Sequence, residues 1–448
     1  GPALYTASMT SAQPFATNLP FDFVTQIRTQ LGPDADRFLA TYNDPPTHGL
    51  RLNPAKIEIS ALRTQTGWNL EPIPWCPNGY YIDPTARPGS HPFHAAGLYY
   101  LQEPTAMAVA EAADLRPGHT VLDIAASPGG KSTQISAAIG PTGLLVANEI
   151  HPARIKALGE NLERWGAINT IITNRTPAQI AAIPGLQFDR IIIDAPCSGE
   201  GLFRRDPAAR DEWSPDRVLG CSTRQIEIVE TTLPLLGPGG LLVYSTCTFN
   251  QTENEHVIIR LLADLPDFTA EPTQRYWPHE CRGEGHTITC IHRSGTLHTP
   301  ASVSSGSRSS PVVWSEFAAT TFSSDPLAGF PGDIVQSGER LSLQSSLPLA
   351  AIVDRPVRSG LWLGDQRPGR FEPSHALALA IDPATARNRL DLTIADAHRW
   401  IAGEPFNASG DHGWVLITVE GYGLGWGKRT GGTVKNHYPK GLRRPIPR

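Results

Sequence analysis

The 448-residue sequence predicts an α/β protein with a doubly wound, mostly parallel sheet at its centre, a small α/β module before it and compact β-rich modules after it. Three observations carry that expectation. From residue 99 to 295 short apolar runs alternate with helically spaced stretches, which is the pattern of βαβ units. Before residue 98 the chain is mixed and rich in proline, and beyond residue 310 it breaks into short apolar runs separated by turn signals. Its length, at roughly 100–200 residues per domain, suggests about three domains.

Residues 1–8, GPALYTAS, precede the first methionine, Met9, and carry neither a basic start nor an apolar stretch, so they read as an artificial leader. The lead-in module spans 9–98. Within it DFVTQIRTQLGPDADRFLATYN has helical spacing through Phe23, Ile27, Leu31, Phe38 and Leu39, and HGLRLNPAKI reads as a strand and turn. The central domain spans 99–295, with strands expected at 120–125, 143–150, 169–174, 188–196 and 239–247 and helices at 151–166 and 222–236. Six serines in the nine positions 302–310 cannot bury a core, so 296–310 reads as a flexible linker. Two β-rich modules follow, at 311–388 and 389–448.

Composition narrows the function. No apolar run approaches the roughly 18 residues of a membrane span. Six cysteines without a CxxC pair imply a reducing, cytoplasmic setting and no structural metal. A net charge of −5 does not suggest nucleic acid. Its distribution does, because residues 425–448 hold Lys428, Arg429, Lys435, Lys440, Arg443, Arg444 and Arg448 and no acid. That stretch is either a phosphate-contacting patch or a solvated tail.

VLDIAASPGGKSTQ (121–134) has the form of a strand, a glycine-rich turn and a helix start. Gly129 and Gly130 remove side chains where backbone must approach a ligand, and the helix offers free N–H groups. The loop has neither GxGxxG nor GxxxxGK[ST] spacing. Glu149, at the end of the next strand, can accept hydrogen bonds from ribose hydroxyls, and Asn174, at the end of the third, can meet an adenine edge. Alone, Glu149 could be a helix N-terminal acid and Asn174 a turn residue.

Two thiols follow the same logic. Cys197 in DAPCSGEG and Cys247 in YSTCTFNQTENE each sit just past an apolar run, which aims both at one sheet edge. A lone cysteine is usually a small buried hydrophobe. Two at adjacent strand ends, with Asp194 three residues before one and Lys131 beside the glycine loop, point to nucleophilic chemistry.

DIAASPGGKSTQ, NEI at 148–150, DAPCSGEG and STCTFNQTENE resemble the Sun/Fmu family of RNA cytosine-5 methyltransferases. RFEPSHALALAI (370–381) and LGWGKRTGGTVKNHYPKGLRR (424–444) further resemble its RsmF/YebU branch, which acts on small-subunit ribosomal RNA and ends in a PUA-like module. The resemblance implies a Rossmann-like domain and S-adenosyl-L-methionine as cofactor. It implies Cys247 as nucleophile, Cys197 as the group that assists release, Asp194 as a donor to the base and Lys131 as its positioner. Cofactor contacts would come from Ala126, Ser127, Pro128, Gly129, Gly130, Lys131, Glu149, Arg154, Asn174 and Asp194. The loop reads AAS where the family often has a cysteine or alanine run, and Asn174 stands where it often has Asp.

The expected partner is ribosomal RNA or the small ribosomal subunit, gripped by Lys428, Arg429, Lys435, Lys440, Arg443 and Arg444 with Trp426, His437 and Tyr438 among them. Arg51 and Asn53 are weaker candidates for that grip. A monomer is expected. The alternatives weighed are a DNA or tRNA cytosine-5 methyltransferase, an RNA-binding assembly factor with a vestigial site, and a small-molecule methyltransferase. A second cysteine after the next strand is not expected of the DNA class.

Overall fold

The computed structural model describes residues 18–297, 308 and 310–447. The leader, Met9, Arg448 and nearly all of the serine-rich stretch lie outside the described residues.

Six strands form the body of a nine-stranded central sheet: β1 (Thr120–Asp123), β2 (Leu144–Asn148), β3 (Thr170–Thr173), β4 (Phe188–Asp194), β5 (Leu236–Thr246) and β6 (His286–Arg293). They lie in the order 6-5-4-1-2-3, with β1 to β5 parallel and β6 antiparallel to β5. Both faces are covered, which is why these strands are nearly continuous apolar runs. Leu122, Val146, Ile171, Ile191 and Leu242 face one core, while Val121, Leu145, Ile172, Ile192 and Val243 face the other. The order reverses at β1 and β4, so the loops leaving them open onto the crevice where wound sheets hold ligands.

Three helices frame that crevice: α1 (Gly130–Ile139), α2 (Pro152–Trp165) and α3 (Pro215–Thr232). Proline at the first position starts α2 and α3, and Gly166 at φ 83° ends α2. The helix expected from residue 222 begins at Pro215, where Ser214 caps it by accepting from Arg217 N.

Three features of the flanking modules lie outside the sequence reading. The lead-in helix is interrupted at Gly32, so Phe21–Leu31 and Ala35–Ala40 are separate, and both pack on the central domain through Phe23 and Phe38 against Phe203, Trp213, Phe249 and Trp277. The lead-in sheet, containing Gly49–Leu52 and Tyr99–Leu101, shares a core with the last module, where Leu50, Phe93 and Tyr99 join Trp400, Val415 and Tyr438. Arg358–Ser359, far along the chain, adds an antiparallel strand to the open edge of β3. The module holding Asp333–Pro373 is therefore stitched to the central sheet, and its core continues into Leu416 and Trp426. No described helix is long and apolar enough to cross a membrane.

Candidate active site

The turn from β1 to α1 carries the glycine loop. Gly129 adopts φ 112°, a left-handed conformation that a side chain would strain, and it places α1 so that its first N–H groups face the crevice. Arg154 braces the loop from α2: its Nη2 donates to Ser127 O at 2.7 Å, and Ser127 Oγ donates back to Arg154 O at 2.9 Å. Asn161 Nδ2 donates to Pro128 O at 2.7 Å. A cavity of about 220 Å³ lies against the loop, lined by Tyr100, Gln102, Ala126, Ser127, Pro128, Gly130, Lys131 and Asp194 among others. A larger one, about 620 Å³, lies between modules, away from the thiols.

Beside the loop, Glu149 is almost wholly buried. One carboxylate oxygen accepts from His151 N at 2.9 Å, and Oε2 has no hydrogen-bond partner, its nearest cation being Arg154 at 3.4 Å. An orphaned buried acceptor at a strand end suits a ligand that brings hydroxyl donors. Asn174 spends its amide N–H groups on Glu149 O (2.7 Å) and Ile150 O (3.0 Å), which leaves its oxygen as the acceptor. These two acceptors fit the ribose hydroxyls and the adenine amino group of S-adenosylmethionine. Beneath the loop, burial pushes the Asp123 carboxyl up to about 6, against the hydrogen bond it accepts from Ser132.

Asp194 and Lys131, 63 positions apart, meet at 2.5 Å. Burial favours the neutral acid, but the Lys131 ammonium and His286, whose Nε2 lies 3.4 Å away, outweigh it and hold the Asp194 carboxyl well below the usual carboxylate range. Burial likewise opposes charge on Lys131, and Asp194 overcomes it, so the ammonium titrates above the ordinary lysine value. Asp194 is thus an acceptor at neutral pH. A carboxylate in that state accepts hydrogen bonds, which differs from the donor role expected from sequence.

The sulfurs of Cys197 and Cys247 are 3.3 Å apart. Their hydrogen bond, and then burial, raise the Cys197 thiol well above its usual value, so Cys197 keeps its proton in the resting site. Two buried acids lock the thiol loops together, and sequence reasoning passed over both. Glu253 accepts from Ser198 N (2.9 Å), Gln225 Nε2 (2.9 Å) and Asn250 Nδ2 (2.8 Å), and also from Ser198 Oγ. Glu200 accepts from Phe249 N (2.6 Å), Asn250 N (3.1 Å), Gln26 Nε2 (3.0 Å) and Trp213 Nε1 (3.3 Å). The signal was present as acids inside both cysteine motifs, together with His286, which no motif contained. Replacing Glu200 by alanine strands these donors, and urea unfolding is expected to show a loss of about 3–5 kcal/mol; a loss under 1 kcal/mol would contradict the hub.

The basic C-terminal stretch divides. Lys428 and Lys435 are cross-strand partners on an accessible face, with Lys428 5.3 Å from the Trp414 ring, and Lys440 is exposed. Arg429, by contrast, is 5% exposed and donates to Asp411 O at 3.3 Å, and Trp426 and Tyr438 are buried in cores, at 2% and 3% exposure. These three do not form a grip. Arg51 and Asn53 are also buried: Arg51 donates to Gly130 O at 2.9 Å and Asn53 to Trp165 O at 2.8 Å, so both tie the lead-in module to the central domain.

The wound sheet, the glycine loop over its switch point and the paired thiols define a Rossmann-like methyltransferase with an appended PUA-type module. Family models cover most of it: the N-terminal domain of 16S rRNA methyltransferase RsmF matches residues 19–104, 16S rRNA methyltransferase RsmB/F matches 110–291, the RsmF first C-terminal domain matches 317–381, and the RsmF PUA domain matches 387–444. Ribosomal RNA small subunit methyltransferase F of Salmonella newport is 32% identical over 95% of this chain and 97% of its own length. The chain belongs to the RsmF family of 16S rRNA methyltransferases. Among solved structures, a methyltransferase homolog protein from Pyrococcus horikoshii is 28% identical, covering 60% of this chain and 94% of its own at a TM-score of 0.55. NSun6 from the same organism, 18% identical over 62% of this chain and 99% of its own, shares the fold at a TM-score of 0.55.

Proposed function

We propose that the protein methylates carbon 5 of a cytosine in small-subunit ribosomal RNA, using S-adenosyl-L-methionine, through a transient bond between Cys247 and the base. The observation that carries this reading is the pair of thiols at 3.3 Å beside the Asp194–Lys131 ion pair. The cofactor supplies an electrophilic methyl group on a sulfonium. Ala126, Ser127, Pro128, Gly129 and Gly130 would line it, Glu149 would take its ribose hydroxyls, and Asn174 would accept from its adenine amino group. Arg154 holds the loop and Glu149 in place.

Carbon 5 of cytosine is a poor nucleophile until a thiolate adds to carbon 6. Cys247 forms that bond, while the Asp194 carboxylate accepts from the exocyclic amino group and the Lys131 ammonium donates to the developing charge on the ring. After methylation, carbon 5 still carries a proton. Forming the thioether removes the hydrogen bond from Cys247, which is the main reason Cys197 resists ionising; Cys197 then releases its proton to solvent, and its thiolate, or a water it orients, takes the carbon-5 proton and lets Cys247 leave.

The reacting base must be unstacked to reach a buried thiol. Lys428, Lys435 and Lys440, with Trp414, provide cations and a ring for flanking RNA. A monomer in the cytoplasm, built from a lead-in module at 9–98, a methyltransferase domain at 99–295 and two C-terminal modules beyond the linker, fits this task.

Incubation with radiolabelled cofactor and small subunits lacking the modification tests the reading, with 5-methylcytidine the expected labelled nucleoside. Label on any other nucleoside would refute it. Glu149→Gln removes a charge from the acceptor of the ribose hydroxyls, and calorimetry is expected to show cofactor affinity about 10–100-fold weaker. An unchanged affinity would remove Glu149 from the site.

A further inference from the structure

We propose that the cleft where the four modules meet is a second RNA contact, a site for one backbone phosphate of the substrate. The inference rests on the RNA reading above. The cleft encloses about 290 Å³ and is lined by Arg164 from the end of α2, Arg443 and Arg444 from the C-terminal segment, His94 from the lead-in module, and His375 and Tyr438.

Its charge is unbalanced. None of the three guanidiniums has a carboxylate within ion-pair distance among the described residues. Arg443 and Arg444 are held by neutral oxygens, Tyr438 O at 3.3 Å and Gly89 O at 2.6 Å, which fixes their positions without neutralising them. The Arg164 guanidinium carbon lies 5.8 Å from the ring of Tyr100. Two acids line the same cleft but are engaged elsewhere: Glu163 pairs with Arg358 at 2.5 Å and Glu160 with Lys156 at 3.8 Å.

Gathering like charges in a half-buried cleft costs free energy that a bound anion recovers. Burial, and then Arg444, lower the Arg164 guanidinium from its ordinary value. Burial, followed by the nearby arginines, lowers His94 to about 3, and burial, followed by Lys56, lowers His375 to about 4, so both imidazoles are neutral and add hydrogen-bonding walls without charge. Guanidiniums suit a tetrahedral oxyanion because each presents several fixed donors. Position links the cleft to the chemistry: Asn161, in its wall, donates to Pro128 O of the cofactor loop, and Tyr100 under Arg164 lines the cofactor cavity. A phosphate held here would fix the RNA in register from four modules at once.

Fluorescence anisotropy with a ribosomal RNA fragment, titrated in salt, tests the proposal. Arg164→Gln is expected to weaken binding about tenfold and to reduce the slope of log affinity against log salt by about one. Calorimetric affinity for S-adenosylmethionine should not change. Arg164→Lys, which keeps the charge in the packed cleft, should retain the slope and so separate charge loss from misfolding. Unchanged RNA affinity and slope in Arg164→Gln would overturn the proposal while leaving the enzyme reading intact. So would inorganic phosphate raising the melting temperature of the wild type alone while both proteins hold RNA equally, since the cleft would then take a free anion. A wild type that holds no RNA would bring down both readings.

Discussion

Alanine at Cys197 is expected to turn a cycling enzyme into one that stalls on its RNA. In the resting site Cys197 keeps its proton through its hydrogen bond to Cys247 and through burial, and it is placed to act only after Cys247 has become a thioether. Without it, addition and methyl transfer proceed and elimination fails. A denaturing gel with cofactor and unmodified small subunits should show a shifted protein–RNA band with Cys197→Ala and none with Cys247→Ala, whose turnover should fall at least about a thousandfold. A band trapped by Cys247→Ala instead would exchange the two roles and place the chemistry with the DNA-type mechanism. No band from any variant, with wild-type transfer intact, would remove the covalent step altogether.

Lys131→Met should have the second-largest effect, because it removes both the donor to the base and the cation that keeps Asp194 ionised. Turnover is expected to fall about 10²–10⁴-fold, the range of a lost proton-transfer partner. Stability should change its pH dependence as well. In the wild type the folded pKa of Asp194 lies below its unfolded value, near 3.9, so its stabilisation is complete above about pH 4 and is lost as pH falls further. The raised pKa of Lys131 contributes stability that is complete below about pH 10.4 and is lost as pH rises through the folded value. Between those limits the pair is constant. In the variant only His286 is left to oppose burial, so the Asp194 pKa rises from its wild-type position and the buried carboxylate costs more stability as it ionises. Melting curves from pH 3 to 8 should therefore diverge with rising pH; parallel curves, or activity within threefold of wild type, would dismiss the pair.

The hydrogen bonds around the thiols explain why this effect is local. Glu200 and Glu253 hold the two loops from beneath, whereas Lys131 and Asp194 hold only each other, Ser245 and the neighbourhood of His286. Losing the ion pair should impair chemistry first. Losing an acid hub should loosen the loops.

What the sequence determined by itself was local. Each of the five parallel strands of the central sheet lies within a few residues of its expected place, because an apolar run flanked by turn residues can be satisfied in few ways, and a glycine pair between strand and helix leaves little choice of conformation; the antiparallel β6 lies outside that expectation. The thiols, Glu149 and Asn174 follow the same strand ends. What only the tertiary structure decided was which faces are covered and which distant groups meet. Lys428 and Arg429 are neighbours on one strand and point to opposite sides of it, so packing alone makes one accessible and buries the other. Trp426 and Tyr438 read as part of an RNA grip in a basic stretch and are core residues because two other modules close over them. The proton states belong to the same class. Asp194 is an acceptor because a lysine 63 positions earlier arrives at 2.5 Å, and Cys197 keeps its proton because a sulfur 50 positions later arrives at 3.3 Å. Spacing along a chain fixes neither distance, and at these ranges distance and burial set the charge.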